Sequence, residues 1–309
     1  MKFESIIEFS TRFEVKKMCE VLGVNRGSYY RWLKGQKNRD EKNLRERRDI
    51  ELIEKVFLDS DKIFGYRNIT KELKANGVEI SEYRVRRLMK ENGFYPELAV
   101  KFKPVRNGKS DGKYYENKVK QEFKTDSRNT LWAGDITYIK TSVGWVYLAV
   151  VMDLYNREII GYSLSKKIDT ELVKVALGNA MGRSGVKDGL IFHSDRGCQY
   201  SSKGYQQLLE EKGITGSMSR PGCPYDNACV ESFFASLKKE KIYRRKYETM
   251  EEVRKDVFWY IEMFYNRKRR HSALEYMTPV EYRLKYDKKR IALNQRLSMH
   301  MDAQSCLKK

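Results

Sequence analysis

The sequence predicts an α/β protein in which a sheet with helices on its faces lies between two basic, helical segments. From Thr130 onward, helical spacing of apolar residues gives way to short strand-like runs, and the predicted order becomes βββαβαβα. One of these runs, residues 145–153, is apolar up to its final Asp153, as in a central strand covered on both faces. The segments before and after this region show helical spacing and a large excess of Lys and Arg.

Charge is distributed unevenly along the 309 residues, whose formal net charge is +20. Residues 1–129 carry +10 and residues 241–309 carry +9, whereas residues 130–240 carry only +1. Basic surfaces attract polyanions, because each phosphate that they neutralise releases bound counterions. Solvated lysines would give the same totals, but Tyr and Trp residues interleaved with the cations favour nucleic acid, since flat rings stack on bases.

Several classes of protein are disfavoured by the composition. The five cysteines form no C-x-x-C pair and there are only three histidines, which argues against a zinc knuckle or a disulfide framework. No run approaches about 18 consecutive apolar residues, and the first residues do not begin a signal peptide. We therefore expect no membrane partner and a reducing, cytoplasmic setting, associated with the nucleoid if DNA is the partner.

Two helical segments are predicted before the sheet. In residues 1–45, two short helices meet at Gly23 and the second carries Arg31, which is typical of a helix-turn-helix, although an ordinary helical hairpin has the same pattern. In residues 46–95, a similar segment ends in a helix capped by Ser81. The cations expected on its outer face are Arg84, Arg86, Arg87 and Lys90. Such a run favours phosphate contact over a merely solvated face.

The remaining segments follow from composition and periodicity. Residues 96–129 contain Pro, Lys and an Asn-Gly pair with weak periodicity, which predicts a basic linker. Residues 130–243 hold the predicted sheet, and a long helical pattern in residues 244–286 continues the same domain. Residues 287–309 are polar, which predicts a frayed tail.

Three acidic residues occur where a folded sheet would bring carboxylates together. Asp135 lies inside a strand-like run, where a charge is costly unless it is paired or bound to a metal. Asp195 follows the apolar run 190–192, and α/β sheets place ligands at the carboxyl ends of strands. Glu231 lies in the first turns of a predicted helix and can point back towards the sheet. Each alone is more often a helix cap or surface acid, but together they predict a site for two Mg²⁺ or Mn²⁺ ions.

Two cations accompany these acids. Lys238 lies seven residues after Glu231 and therefore shares its helix face. A cation there can hold a phosphate beside the metals, although a surface lysine would show the same spacing. Arg220 belongs to a loop rich in Pro and Gly before this helix, and such a loop can approach DNA closely.

The motifs together resemble those of IS-three family insertion-sequence transposases, which belong to the DDE superfamily and are similar to retroviral integrases. In the catalytic half, the resemblance rests on Asp135-Ile136-Thr137, His193-Ser194-Asp195-Arg196-Gly197-Cys198-Gln199-Tyr200, Asp226-Asn227-Ala228, Glu231 and Lys238. Outside it, the resemblance rests on Tyr265-Asn266, Arg270-His271 and Phe64-Gly65-Tyr66-Arg67.

The resemblance implies an RNase H-like integrase catalytic core in which Asp135, Asp195 and Glu231 hold two Mg²⁺ or Mn²⁺ ions. It implies a transposase that cuts at the ends of an insertion sequence and joins the freed 3′-hydroxyl to a target phosphodiester. Arg270 and His271, in the C-terminal signature, are expected to contact DNA.

The resemblance also implies a set of partners. These are double-stranded DNA, as terminal inverted repeats and as target, further copies of the chain in the DNA complex, and the product of a first reading frame. Because no heptad run corresponds to the leucine zipper of that product, we expect this chain to be the second-frame protein. The zinc-binding His/Cys domain of retroviral integrases has no counterpart in the sequence.

Two other functions fit part of the same pattern. A DNA-binding regulator that never cuts would need only the basic flanks, and an RNase H-like nuclease would need the acids without joining strands. The complete set of three acids argues against the regulator. Only a test for joined products separates the nuclease from the transposase.

Overall fold

The computed structural model describes residues 2–97, 114–221 and 223–287. The chain divides into two compact units, Met1–Pro96 and Glu97–Lys309. Residues 98–113 of the predicted linker and residues 288–309 of the predicted tail lie outside the described residues. Across the described ranges, no helix combines the length and the apolar character that crossing a bilayer requires.

The described part of the first unit is all-α. Its helices are α1 (Lys2–Phe9), α2 (Val15–Val21), α3 (Arg26–Asp59), α4 (Tyr66–Ala75) and α5 (Glu82–Glu91). α1 and α2 pack on the first turns of α3, around buried Ile6, Cys19 and Tyr29. α4 and α5 pack on the last turns of α3, where Ile53 and Phe57 are buried.

Helix α3 corrects the predicted organisation of this unit. The sequence predicts two separate helices, with a segment boundary between residues 45 and 46, but the structure has one continuous helix across that point. The physical reason is composition: residues 36–59 contain no Gly or Pro and many Lys, Arg and Glu residues, which propagate a helix well. The two predicted segments, residues 1–45 and 46–95, are therefore two packing clusters that share the helix α3.

The second unit contains a five-stranded sheet. Its strands are β1 (Leu131–Thr141), β2 (Gly144–Asp153), β3 (Glu158–Ser165), β4 (Ile191–Ser194) and β5 (Thr215–Met218). They lie in the order β3-β2-β1-β4-β5, with β1, β2 and β3 antiparallel and β4 and β5 parallel to β1. This mixed sheet is the predicted RNase H-like arrangement. Its central strand, β1, lies between antiparallel β2 and parallel β4.

Helices cover the sheet as predicted. They are α6 (Thr170–Ser184), α7 (Lys203–Glu211) and α8 (Ala228–Glu240), and α9 (Met250–Phe258) follows them in the chain. α6 lies close against β3, because Gly161 has no side chain: a Cβ there would lie 2.4 Å from the Ala176 carbonyl oxygen. The buried residues of this face, including Trp132 and Phe192, form one core with α6 and α7.

The long helix predicted from Met250 continues beyond α9 as a π-helix, Trp259–Tyr265. The next residue, Asn266, accepts a hydrogen bond from Ile159 N and donates one to Ile159 O, both 3.0 Å long. The side chain therefore satisfies the backbone at the outer edge of β3, as a further strand would. Helix also extends over residues 279–287, so the predicted tail begins inside a helix, where Asp287 pairs with Arg128 at 3.6 Å.

The described part of the predicted linker is also packed on the sheet. Lys118 N donates to Ser217 Oγ on β5 at 2.9 Å. The ring of Tyr115 fills the space over Gly216, where an added Cβ would lie 2.3 Å from Tyr115 Cε2. Residues 114–129 are thus part of the core domain, contrary to their interpretation as a linker.

Candidate active site

The sheet register brings the first two predicted acids side by side. Ala133 on β1 lies opposite His193 on β4, and Asp135 and Asp195 each follow two residues later. Residues two apart on a strand share a face, and neighbouring strands lie about 4.8 Å apart. The two carboxylates therefore lie next to each other where β4 ends. Asp135 is buried and Asp195 is half-buried.

One buried tyrosine is affected by both charges. Burial raises the pKa of Tyr200 well above its usual range, and the charges of Tyr205, Asp135 and Asp195 raise it further. Its hydroxyl is also close to β1, since a Cβ added at Gly134 would lie 3.3 Å from it. The uncharged phenol of Tyr200 thus lies beneath the two carboxylates.

Each aspartate is oriented by the backbone next to it. Ile136 N donates to Asp135 Oδ1 at 2.8 Å, and Gly197 N donates to Asp195 Oδ1 at 2.9 Å. Gly197 is required for the second contact, because a Cβ there would lie 2.9 Å from the same carboxylate oxygen. These hydrogen bonds fix the orientation of each carboxylate.

Two contacts fix α8 beside β1. At its start, Asn227 Nδ2 donates to Gly134 O at 3.2 Å, and near its end Lys238 Nζ lies 4.8 Å from the centre of the Tyr138 ring. Helix and strand therefore run in the same direction, with Asp135 between the two contacts.

Glu231 belongs to the same face of α8. It lies four residues after Asn227 and seven before Lys238, and these spacings return to one side of a helix. Both of those side chains contact β1, so half-buried Glu231 lies on the side of the helix that faces β1.

Lys238 is a half-buried cation within the range of Asp135. Burial lowers the pKa of its ammonium group, and the charge of Asp135 acts in the opposite direction. The ring of Tyr138 covers it and is itself held edge-on by Trp145, at 5.4 Å between ring centres. The site thus combines carboxylates with one positioned cation.

The donor set fits a hard divalent cation, because oxygen ligands without sulfur or imidazole suit Mg²⁺ and Mn²⁺. Asp135, Asp195 and Glu231 are supplied by three adjoining elements. Over the part of the chain that the structure describes, no three His, Cys, Asp or Glu side chains are grouped closely enough to hold a metal ion. The backbone places the three acids around one region, and their side chains are not gathered into a ligand cluster.

Asp226 is a functional residue that the sequence analysis quoted without giving it a role. It is fully buried and accepts hydrogen bonds from Arg220 N at 2.9 Å and from Arg220 Nε at 3.2 Å. Asn117 and Gln121 donate to it as well, at 2.9 and 3.0 Å. The Arg220 guanidinium holds the pKa of Asp226 well below its usual range. Arg220, predicted to contact DNA, therefore fixes the loop that leads into α8.

His193 is buried between two hydroxyls. Its Nδ1 lies 2.9 Å from Ser217 Oγ and its Nε2 lies 3.2 Å from Ser219 Oγ. Burial lowers the pKa of His193 to about 4, although Asp226 acts in the opposite direction. The imidazole is therefore neutral at physiological pH and joins β4 to β5 beside the acids.

This burial predicts a loss of stability in acid. Because the folded pKa of about 4 is below the ordinary 6.5, the unfolded chain binds the proton first, and stability falls as the pH drops from 6.5 to 4. The expected loss is about 3 kcal/mol for this group. His193→Gln should remove that part of the pH dependence, measured as the difference between variant and parent in urea unfolding at pH 7 and 4.5. An equal pH dependence in both proteins would contradict the assignment.

Two of the predicted DNA contacts on α5 are occupied within the protein. Arg84 Nε lies 2.6 Å from Asp49 Oδ2, and Arg87 lies 3.0 Å from Glu46 and 2.7 Å from Glu91. The pairs with Asp49 and Glu46 hold α5 against α3, whereas Glu91 belongs to α5 itself. Arg84 and Arg87 are therefore half-buried and not outward as expected. The structure leaves Arg86, Lys90 and, on α3, Arg31 exposed.

The predicted contacts in the C-terminal signature are also internal. The side chain of Arg270 is only 9% exposed, and its Nη1 donates to Tyr276 O at 3.1 Å and to Glu281 at 3.2 Å. Burial lowers the pKa of His271 to about 3, so its ring is uncharged. Neither residue offers a free charge to a phosphate, and we do not propose them as DNA contacts.

A neighbouring arginine was missed. Arg269 makes a bidentate pair with buried Glu240 at the end of α8, with contacts of 2.7 and 2.9 Å. Arg269 also donates to Ser236 Oγ one turn earlier, and Tyr260 donates to Glu240 at 2.5 Å. This network locks the part of α8 that carries Lys238. The only sequence signal for Arg269 is the basic run that contains it. Composition does not distinguish this buried arginine from the other cations of the run.

Comparisons with known proteins agree with this geometry. Residues 125–224 and 212–279 match two families described as integrase core domains, and residues 44–98 match an HTH-like domain. Transposase InsF for insertion sequence IS3A of Escherichia coli K12 is 38% identical over 282 residues, which are 91% of this chain and 98% of InsF. The 31 kDa protein of insertion element IS600 of Shigella sonnei is 36% identical over 87% of this chain and 98% of its own length.

A solved structure is also similar. The catalytic core domain of BIV integrase has a TM-score of 0.40 and 21% identity, over 53% of this chain and 99% of that domain. The sheet, its flanking helices and the matches to an integrase core domain and an HTH-like domain define the class of the molecule. It is an integrase-core protein with an HTH-like domain upstream. The identity to InsF over nearly all of both sequences goes further: the chain belongs to the family of insertion-sequence transposases that includes InsF. It is a DDE-type polynucleotidyl transferase that carries out DNA transposition.

Proposed function

We propose that Asp135, Asp195 and Glu231 together hold two divalent cations, Mg²⁺ or Mn²⁺, and that this site cuts at the ends of the insertion sequence. The same site then directs the freed 3′-hydroxyl to a phosphodiester of the target DNA. The observation that supports the proposal is the meeting of β1, β4 and α8, because Asp135 lies on β1, Asp195 follows β4 and Glu231 lies on α8. Because the side chains are not yet gathered, ion binding goes together with rotation of the carboxylates.

Each chain residue has a defined task in this proposal. The cations, when bound, stabilise charge on the attacking and leaving oxygens. Lys238, held against Tyr138 and close to Asp135, binds a non-bridging oxygen of the phosphate under attack. Tyr200 keeps the floor of the site uncharged, and Asn227 keeps Glu231 beside β1.

DNA is the proposed partner in two forms, the terminal inverted repeats and the target. Exposed Arg31, Arg86 and Lys90 of the first unit are proposed to contact the repeats. Since an element has two ends and each chain supplies one site, we propose a homo-oligomer in the DNA complex, assisted by the first-frame product. With such a substrate the protein works at the nucleoid.

A strand-transfer assay tests the proposal. The full chain, with and without the first-frame product, is incubated with a labelled duplex from the element's end, a target plasmid and Mg²⁺. We expect cleaved ends and labelled end DNA joined to the plasmid. Cleavage without joining would support the nuclease, and DNA binding without any product under either condition would support the regulator.

A further inference from the structure

The first unit contains the same supersecondary motif twice. α2 and α3 are joined at Gly23, with φ of +62°, and α4 and α5 are joined through Gly77, with φ of +78°. In the first turn Val24 N donates to Cys19 O at 3.0 Å, and in the second Val78 N donates to Leu73 O at 2.9 Å. Both helices therefore end in the same six-to-one hydrogen bond, closed by a left-handed glycine.

The second helix of each motif starts in the same way. The Asn25 side chain accepts from Ser28 N at 3.1 Å to cap α3, and the Ser81 side chain accepts from Arg84 N at 3.2 Å to cap α5. In a helix-turn-helix, the first turns of this second helix contact base edges in the major groove. The motif made by α4 and α5 lies within the matched HTH-like domain, whereas the one made by α2 and α3 lies before it.

Both second helices carry an exposed stripe of one tyrosine and two cations. The members are Arg26, Tyr30 and Lys34 on α3, and Tyr83, Arg86 and Lys90 on α5. Arg26 lies over the ring of its own Tyr30, at 5.6 Å, and Arg86 lies over the ring of Tyr66, also at 5.6 Å. Within the described residues, none of these four cations has an ion pair, in contrast to Arg84 and Arg87, so their charges are available to phosphates.

The two motifs are built on one helix. The first packs against Tyr29 and the second against Ile53, and α3 is continuous between them. At a rise of 1.5 Å per residue, these 24 residues span about 36 Å. Residues 37–45 are exposed on every side of the helix, as in a solvent-crossing connection between two packed modules.

We propose that the two helix-turn-helix modules bind two separate major-groove segments of one DNA duplex, with α3 as the ruler that fixes the separation between the modules. The module of α1, α2 and the start of α3 is thus a second DNA-binding site. This inference rests on the proposed recognition of the terminal repeats and adds their layout: two recognised segments at one fixed separation.

The test uses the full chain and a duplex of about 40 base pairs from the end of the element that encodes it. Hydroxyl-radical footprinting should show two separate protected tracts. Replacing Arg26 and Lys34 by Ala should remove one tract, and replacing Arg86 and Lys90 by Ala should remove the other. A single tract that disappears only with the second pair would overturn the two-module inference and leave repeat recognition standing. Complete lack of protection would overturn both.

The ruler is tested by a pair of connector variants with the same loss of charge. Four exposed residues, Asn38, Arg39, Asp40 and Glu41, are all replaced by Gly in one variant and all by Ala in the other. Glycine weakens the helix by about 1 kcal/mol per residue relative to alanine. The Gly variant should bind the duplex at least about 10-fold more weakly, because fixed spacing raises the effective concentration of the second module. The Ala variant should bind like the parent.

A spacer in the DNA gives the reciprocal result. Five extra base pairs between the two tracts turn one groove to the opposite face, so binding by the parent and the Ala variant should fall about 10-fold or more, and binding by the Gly variant much less. Circular dichroism checks that the Gly variant and the Ala variant are both folded. Equal binding of all three proteins to both duplexes would overturn the ruler.

Discussion

Asp135→Asn is expected to abolish strand cleavage and joining, by about 10³-fold or more, without weakening the binding of end DNA. Asparagine keeps the shape of the side chain, and its oxygen can still accept the hydrogen bond that Ile136 N donates to Asp135. It removes the negative charge, and without that charge the site beside Asp195 loses its attraction for a divalent cation. The measurements are labelled-product formation in Mg²⁺ and the dissociation constant for end DNA.

The matched control for this prediction is Asp188→Asn. Asp188 is an exposed acid before β4, so the same chemical change should leave product formation and DNA affinity unchanged. Substantial strand transfer by the Asp135 variant would remove this residue from the active site. Equal losses in both variants would indicate an effect of net charge on DNA binding and not a lost ligand.

Arg269→Met is expected to give the largest loss of stability in the second unit, about 3–5 kcal/mol. The substitution leaves Glu240 buried and charged, with Tyr260 as its remaining donor. A buried charge that loses its partner costs much more than the pair contributed. The free energy of unfolding in urea is the measurement, and reduced strand transfer should accompany the loss, because Arg269 also holds the turn of α8 before Lys238.

The mechanism of this loss can be separated from simple damage to packing. The double variant Arg269→Met with Glu240→Leu removes both charges and should recover most of the stability. Arg254→Met breaks an exposed pair with Glu251 and should cost at most about 1 kcal/mol. A double variant as unstable as Arg269→Met alone would show that side-chain volume, and not the unpaired carboxylate, is responsible.

The sequence was sufficient where the deciding pattern is local. A buried run with an acid inside it predicted β1 and Asp135, and an apolar run ending in an acid predicted β4 and Asp195. The spacing of Glu231 and Lys238 predicted their common helix face, which the contacts of α8 with β1 support.

The sequence was insufficient where the environment of a side chain depends on a partner far along the chain. Arg84 resembled any other exposed cation until Asp49, 35 residues earlier, was placed beside it. Arg269 and Arg270 are adjacent members of one basic run, yet the first pairs with Glu240 and the second with Glu281. Charged residues on a helix have no periodicity that identifies such internal pairs, so composition does not separate paired cations from exposed ones.

The same limit explains the boundaries that were wrong. The linker prediction rested on weak periodicity, but the residues that hold this segment, such as Tyr115 and Lys118, contact β5 about 100 residues later. The continuity of α3 was missed because its two buried clusters, around Tyr29 and Ile53, were treated as separate helices. The local signal for this continuity is the absence of Gly and Pro from residues 36–59.

The central claim is that three carboxylates from β1, β4 and α8 close on a shared pair of divalent ions. Anomalous scattering from crystals of the chain with end DNA and Mn²⁺ tests it most directly. The account predicts two manganese peaks beside Asp135 and Asp195, with Glu231 bound to one of them and Lys238 near the phosphate. Manganese bound elsewhere, or peaks at the two aspartates with Glu231 still directed away from both ions, would contradict it.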